Sequence, residues 1–459
     1  MYDFFFDLEK RLMKEKLNLK ELIYIGSMLF GMFFGAGNLI FPVHMGQLAG
    51  RNIIPAIIGF LITGVGLPLL GVAALGISRS EGLHDLSGKV GRPYSYFFTC
   101  ALYLTIGPFF AIPRCATVPF TVGVTAIIGD DHAAALAIFS LVFFAVVLAF
   151  SLWPGKILIW IGKILNPLFL VFLGIMVIRA LISPMGDISA IEPSGGYATQ
   201  PFFTGFLDGY NTMDALAGLA FGIVVVNVIR GLGIDKPEGV AASTVKSGIL
   251  SCAIMALIYI AVTVVGTQTR GIYDICENGG EVLALIAEHY FGRAGALILA
   301  GTVTFACLKT AVGLITSCSE TFEKMFPKGP SYRVWAIIFC VVSFLIANLG
   351  LSTIIEYSVP VLMFLYPLAI TLILLALCGK LFGNDRIVYA LVTGFTLVAA
   401  VFDFIAALPK SVVAAAHLDV VIEFMKSYMP LFKLGLGWVI PAAVGLVIGL
   451  IIHAARKKA

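Results

Sequence analysis

Long apolar stretches alternate with short polar connections along almost the whole chain. A membrane-spanning helix needs about 20 predominantly apolar residues, and twelve stretches of roughly this length or more are bounded by charged or turn-forming residues. They fall at 21–47, 52–77, 95–128, 133–153, 157–183, 203–230, 246–268, 293–323, 333–350, 354–379, 386–408 and 434–454. The pattern therefore predicts twelve transmembrane helices. Two longer connections, 270–292 and 409–433, are expected to contain short amphipathic helices.

The composition favours an all-α polytopic membrane protein and excludes several other classes. Of the 459 residues, 60% are hydrophobic and only 12% are charged. Soluble domains carry about 25% charged residues, so this chain is not an ordinary water-soluble enzyme, and we expect no enzymatic activity. The net charge of +4 comes from scattered basic residues, which predicts membrane lipid rather than nucleic acid as the surrounding partner.

Lysine and arginine are distributed unevenly between the predicted connections. If the N-terminus is cytoplasmic, 21 of the 30 basic residues lie in cytoplasmic segments and 7 lie in outer segments. The remaining two, Arg114 and Lys309, fall inside predicted spans. Because cytoplasmic loops of membrane proteins are enriched in lysine and arginine, we expect both termini to be cytoplasmic.

Two predicted spans are interrupted in the middle. The first contains Gly35-Ala36-Gly37-Asn38, and the sixth contains the polar segment 208–214, which ends at Asp214. Non-helical backbone within a bilayer is tolerated only where it is packed in protein or lines a cavity, so both breaks are candidate ligand sites. Two alternatives remain: close packing through small residues for the first break, and a structural hydrogen bond to another helix for Asp214.

The two breaks stand at the beginning of two groups of five spans. Since five is an odd number, the second group is inverted in the membrane, and interrupted helices at matching positions of two inverted halves indicate a transporter's midplane site. The predicted organisation is a cytoplasmic segment at 1–20, a first repeat at 21–183, an inverted repeat at 203–379, and two appended helices with a cytoplasmic C-terminus at 386–459.

Several motifs occur in the same order as in a known protein family. They are FGMFFGAGNLIFP at 30–42, TGVGLP at 63–68, IGP at 106–108 followed by Pro113-Arg114, TMDALA at 212–217, and PVL with LYP at 360–367. This set resembles the bacterial branched-chain amino acid:cation symporter family. The resemblance implies a LeuT-like 5+5 inverted repeat with two additional C-terminal helices in the inner membrane. It also implies uptake of leucine, isoleucine or valine with sodium by alternating access. We expect no cofactor other than a coupling cation, Na⁺ or H⁺.

The resemblance further implies a substrate site at the two breaks. Amides around Ala36 and Gly37 would face the substrate carboxylate, as the N-termini of half-helices can. Backbone carbonyls would accept from its ammonium group, with Asp214 as a charge partner, and an apolar wall would hold the branched side chain. The implied substrate residues are Phe33, Gly35, Ala36, Gly37, Asn38, Ile106, Gly107, Pro108, Tyr210, Asn211, Thr212, Met213 and Asp214.

A cation site between the first and eighth spans is the second implied feature, formed by Gly31, Phe34, Ala306 and Thr310. A hydroxyl or small residue is expected at position 309, but the chain has Lys309. We hypothesise that its ammonium group replaces the sodium ion, which would make transport sodium-independent or proton-linked. A conventional sodium-coupled symporter is the alternative. There are two further alternatives. Lys309 could extend to a membrane interface, or it could pair with an acid such as Asp214.

Arg114 is the second charged residue whose role the sequence leaves open. It is expected to anchor helices near the interface, and the alternative is that it gates the outer side by pairing with an acid.

Two other classes of membrane protein remain as alternatives to a transporter. A membrane subunit of a larger complex would need axial histidines or cluster-binding cysteines, and a channel would need a repeated polar pore loop. The six dispersed histidines and eight dispersed cysteines form no such motif. The pattern does not predict an oligomeric state.

Overall fold

The structure is a computed structural model that describes residues 16–35, 37–124, 133–153, 170–234 and 236–458. Within these ranges every regular element is a helix. Nine of the described helices are long and apolar enough to span a membrane, and the shorter helices Leu170–Ile182 and Tyr332–Ala347 are also apolar. The prediction of an all-α, multi-pass membrane protein is therefore confirmed. The count of twelve stays a prediction, because the fifth span begins outside the described residues.

The helices used below are numbered in chain order. They are α1 (Leu19–Phe33), α2 (Gly37–Ala49), α3 (Ile53–Leu61), α4 (Leu67–Ser78), α5 (Arg92–Leu104), α6 (Ala111–Pro119), α7 (Ala133–Leu152), α8 (Leu170–Ile182), α9 (Pro201–Asp208), α10 (Asp214–Gly231), α11 (Pro237–Thr269), α12 (Gly279–Met325), α13 (Tyr332–Ala347), α14 (Leu351–Cys378), α15 (Arg386–Ala406), α16 (Asp419–Tyr428) and α17 (Val439–Lys458).

Local sequence signals explain where the first helix begins. The Asn18 side chain accepts from the backbone N–H of Glu21, and the Glu21 carboxylate accepts from the N–H of Asn18, each at 2.9 Å. This reciprocal pair satisfies two backbone donors that a helix N-terminus leaves free. The first span then runs through α1 and, after its break, α2.

Both long connections contain the predicted amphipathic helices. The segment from Gly279 forms the beginning of α12, which bends at Gly292 (φ 62°, ψ −162°) before entering the eighth span. Only glycine adopts this backbone conformation readily, since a Cβ would clash. The second connection contains α16 and the short helix Lys410–Ala415. Helix α11 begins at Pro237, nine residues before the predicted seventh span.

Helices α2 and α11 cross at the centre of the bundle. A Cβ atom added to Gly46 would lie 2.1 Å from the carbonyl oxygen of Thr263, and one added to Gly266 would lie 2.1 Å from that of Val43. Two glycines therefore let the backbones touch, as small residues do in membrane bundles. The appended helices α15 and α17 pack against each other, and α15 also packs against α14.

Candidate functional site

The breaks of the first and sixth spans lie side by side. Helix α1 ends at Phe33 and α2 begins at Gly37, and the backbone N–H of Gly35 donates to Asn38 Oδ1 at 2.7 Å. A Cβ added to Gly37 would lie 3.7 Å from Thr212 Cα in the other break. Ala36 lies outside the described residues. The two interruptions therefore form one junction.

The sixth span is broken by a tight turn. Helix α9 ends at Asp208, a single 3₁₀ turn covers Gly209–Thr212, and α10 begins at Asp214. Met213 between them is left-handed, with φ 62° and ψ 10°. A non-glycine residue in this region carries strain and often occurs at functional sites. The turn places the Asp214 carboxylate at the N-terminus of α10, where a helix dipole favours negative charge.

Asp214 is bonded by two neutral side chains from other helices. Its Oδ2 accepts from Asn38 Nδ2 at 2.5 Å and from the Tyr259 hydroxyl at 3.2 Å, and Asn38 also donates to Tyr259. Asp214 is 3% exposed. The structural hydrogen bond considered for Asp214 is therefore present and joins α10 to α2 and α11. Tyr259 was missed, because one tyrosine in an apolar span is a weak signal.

A cavity of about 80 Å³ lies between the two breaks. Eight of the predicted substrate residues line it: Phe33, Gly35, Gly37, Asn38, Ile106, Thr212, Met213 and Asp214. Thr310 of the predicted cation site also borders it, together with Met32, Ala111, Arg114, Cys115, Ala217, Phe221 and Leu314. The cavity combines an apolar wall with a few polar groups, which is the usual composition of a small-molecule site.

The other predicted substrate residues are placed differently. Tyr210 and Asn211 line a second cavity of about 270 Å³ that also reaches Asp208 and Ala407, and the Tyr210 ring stacks on Tyr366 with centroids 4.0 Å apart. By the predicted topology this cavity lies towards the outside, because Asp208 and Ala407 are near outer ends of spans.

Gly107 and Pro108 form a third break, between α5 and α6. Gly107 has the non-helical angles φ −98° and ψ −124°, and a Cβ there would lie 2.7 Å from Cys318 Sγ on α12. We did not predict this break, although the Gly-Pro pair was a signal for it, since proline removes a helical donor. The break separates α5 from α6, and α6 places Arg114 at the wall of the cavity.

Arg114 closes the junction on the side of the second cavity. It is 3% exposed, and its guanidinium donates to the carbonyl of Asn211 at 2.9 Å and to the Ser358 hydroxyl on α14. It also lies over the Phe41 ring, 5.0 Å from the centroid, a favourable cation–π geometry. No acid pairs with it in the described ranges. Arg114 thus anchors helices, but deep in the bundle rather than near the interface.

Lys309 lies beside α1 in a larger cavity of about 470 Å³. A Cβ added to Gly31 would be 4.0 Å from Lys309 Nζ, so the ammonium group reaches the helix that the cation-site hypothesis names. Among the described residues, however, it forms no hydrogen bond and no salt bridge, and Asp214 is bonded elsewhere. Ala306 is half-buried on the same helix and Phe34 follows α1.

Three neighbouring cavities share lining residues between the junction and one end of α12. Phe221 borders the 80 Å³ cavity, the 470 Å³ cavity around Lys309, and a further cavity of about 490 Å³. Ser317 and Glu320 line both of the larger cavities, and Lys324 lines the last one. These residues lie near the predicted cytoplasmic end of α12.

Comparison with solved structures identifies the fold. The inward-facing conformation of Mhp1 superposes with a TM-score of 0.63 at 14% identity, covering 95% of this chain and 91% of that one. MhsT in complex with L-phenylalanine superposes with a TM-score of 0.54 at 15% identity, covering 96% and 99%. Both are LeuT-like transporters, so the predicted LeuT-like fold is confirmed.

Comparison with known sequences identifies the family. The chain is 54% identical over 448 residues to a branched-chain amino acid permease of Lactobacillus delbrueckii subsp. lactis, covering 97% of this chain and all of the relative. It is 41% identical over 447 residues to a branched-chain amino acid permease of Bacillus subtilis, with the same coverage. Residues 18–456 match the family described as branched-chain amino acid transport protein. The chain therefore belongs to this branched-chain amino acid transport family.

Proposed function

We propose that this chain imports leucine, isoleucine and valine across the bacterial inner membrane by alternating access. The observation that carries the proposal is the cavity at the junction of the two broken spans, where Asp214 faces an apolar wall. Relatives that are 41–54% identical over nearly their full length are named branched-chain amino acid permeases, which supports the same substrate class here.

The lining of the cavity suggests how each part of the substrate is held. Asp214 is the charge partner for the substrate's ammonium group, and Ile106, Met213 and Phe221 provide the apolar wall for the branched side chain. One methylene in such a pocket is worth about 1–3 kcal/mol of discrimination. The site should therefore separate leucine from alanine much better than leucine from isoleucine.

We further propose that Lys309 takes the place of a sodium ion between α1 and α12. The proximity of its ammonium group to Gly31 supports this assignment. In the structure the group lies in a cavity of about 470 Å³ that is also lined by Glu320, near the predicted cytoplasmic end of α12. Closure of α1 against α12 would bring backbone carbonyls of the first span to the ammonium, which needs acceptors inside a bilayer. Transport would then be sodium-independent, or driven by protonation of Lys309.

Uptake of labelled leucine into proteoliposomes with and without sodium tests both proposals. The native chain should show saturable uptake that does not require sodium, because the lysine already supplies the positive charge. Lys309→Thr, which restores a hydroxyl, should lose sodium-independent uptake and gain stimulation by sodium. Lys246→Thr, at an exposed lysine of α11, is the matched control and should behave like the native chain.

Three results would count against these proposals. Strict sodium dependence of the native chain would favour the conventional sodium-coupled symporter and refute the role of Lys309. Non-saturable flux would indicate a channel and refute the carrier. Saturable uptake of other amino acids, without competition by leucine, isoleucine or valine, would refute the substrate class.

A further inference from the structure

Two charged side chains line the junction cavity, and neither has a charged partner among the described residues. Among its described lining residues only Arg114 and Asp214 carry a formal charge, and each is 3% exposed. Arg114 is held by a backbone carbonyl and the Ser358 hydroxyl, while Asp214 is held by Asn38 and Tyr259. The cavity thus places one cation and one anion at its walls with neutral partners only.

This arrangement matches a ligand that carries both charges. A buried charge that lacks an opposite charge is unfavourable, and the same holds for ionised groups inside a membrane. A ligand with one carboxylate and one ammonium group would compensate both walls and would itself be electrically neutral. Ligands with a single charge would leave one wall uncompensated.

The guanidinium of Arg114 has N–H donors left for such a ligand. Each of its two terminal nitrogens uses one of its two N–H groups, for the Asn211 carbonyl and for the Ser358 hydroxyl, and these bonds fix the plane of the group. Its Nε is buried and has no hydrogen-bond partner in the described part of the chain. Unsatisfied buried donors are uncommon in proteins and call for a physical explanation.

We propose that Arg114 binds the substrate α-carboxylate through this Nε–H and so makes the site selective for zwitterionic α-amino acids. The proposal rests on the proposed function and adds a charged side chain to the backbone amides of the first break. Because the same guanidinium joins the sixth-span break to α14, the carboxylate would bind to the group that closes the junction on the outer side.

Ligand protection of the purified full-length chain against thermal unfolding tests this role. The concentration for half-maximal protection is measured for L-leucine and for L-leucinamide, which retains the ammonium group and side chain but lacks the carboxylate. In Arg114→Gln the leucine value should rise by about 10- to 100-fold, as expected for loss of a charge-assisted hydrogen bond. The leucinamide value should change by less than about threefold, because its neutral carbonyl oxygen is a weaker acceptor for the guanidinium than a carboxylate.

Two further variants separate a binding role from a packing role. Arg114→Lys keeps the charge and should recover part of the preference for leucine over leucinamide. If Arg114→Gln does not fold, Arg114→Lys is measured in its place. Thr396→Ala removes a buried hydroxyl on α15 that bonds only within its own helix and should leave the preference unchanged.

The outcomes are distinct. A collapse of the leucine preference in Arg114→Gln, with partial recovery in Arg114→Lys, supports the proposal. Equal losses for both ligands, or no loss, would show that Arg114 only anchors helices and would overturn it. Absence of protection by leucine in the native chain would refute the proposed function instead, because that result does not depend on Arg114.

Discussion

Asp214 is the residue whose role follows most directly from its surroundings. It begins α10, lines the junction cavity, and accepts hydrogen bonds from Asn38 on α2 and Tyr259 on α11. These donors hold the carboxylate in place without neutralising its charge. The substrate's ammonium group would supply the missing positive charge, so Asp214 should be needed for affinity as well as for helix packing.

Replacing Asp214 by asparagine keeps its size but removes the charge. We expect Asp214→Asn to raise the KM for leucine uptake by about 10- to 100-fold, since a hydrogen bond to a charged group is worth about 1.5–3 kcal/mol. Tyr259→Phe removes one donor and keeps the carboxylate, so its KM should rise by less than about tenfold. An unchanged KM in Asp214→Asn would show that the ammonium group binds elsewhere.

Individual residues differ in how far the sequence could predict their partners. Asp214 was identifiable because a carboxylate within a span is costly and needs a role. The partners of Arg114 were not, since Asn211 and Ser358 are 97 and 244 residues away along the chain. The alternative pairing of Lys309 with Asp214 is absent among the described residues, where Asp214 Oδ2 accepts from Asn38 and Tyr259 instead.

At the scale of elements, the crossing of α2 and α11 depends on two glycines. Gly266→Ala would place a methyl group 2.1 Å from the Val43 carbonyl oxygen, so the helices must separate. We expect a loss of about 1–3 kcal/mol of stability, typical of overpacking, seen as a lower melting temperature of the purified protein.

Gly394→Ala is the matched control for this prediction. Gly394 lies within α15, and a Cβ there would meet nothing within 4 Å among the described residues. Alanine favours a helix over glycine by up to about 1 kcal/mol, so the melting temperature should stay the same or rise. If Gly266→Ala were as stable as Gly394→Ala, the close contact of α2 with α11 would be disproved.

The helix breaks show which elements a sequence can reveal. The first break was identifiable from closely spaced glycines and the sixth from a run of polar residues inside an apolar span. The break at Gly107 has only one glycine before Pro108, which is a weaker local signal. The close approach of Cys318 from α12 is a tertiary contact that local sequence does not encode.

At the scale of the whole molecule, the cavities indicate one conformation of a transport cycle. The junction cavity shares Phe221 with two large cavities lined by Ser317. On the opposite side, Arg114 and the stacked rings of Tyr210 and Tyr366 separate it from the cavity that Thr204 lines. In an alternating-access transporter only one side is open at a time, so we expect the junction in this structure to open on the side of Ser317.

Thiol labelling of single-cysteine additions tests this asymmetry together with the predicted orientation. Variants Ser317→Cys and Thr204→Cys would be made with Cys378→Ser, because Cys378 is the exposed native cysteine of the described chain. A charged, membrane-impermeant reagent should modify Ser317→Cys in inside-out vesicles and Thr204→Cys in right-side-out vesicles. Saturating leucine should slow the first reaction, because closure over the substrate narrows the inner cavities. Modification of Ser317→Cys from the outer side alone would reverse the predicted orientation and contradict cytoplasmic termini.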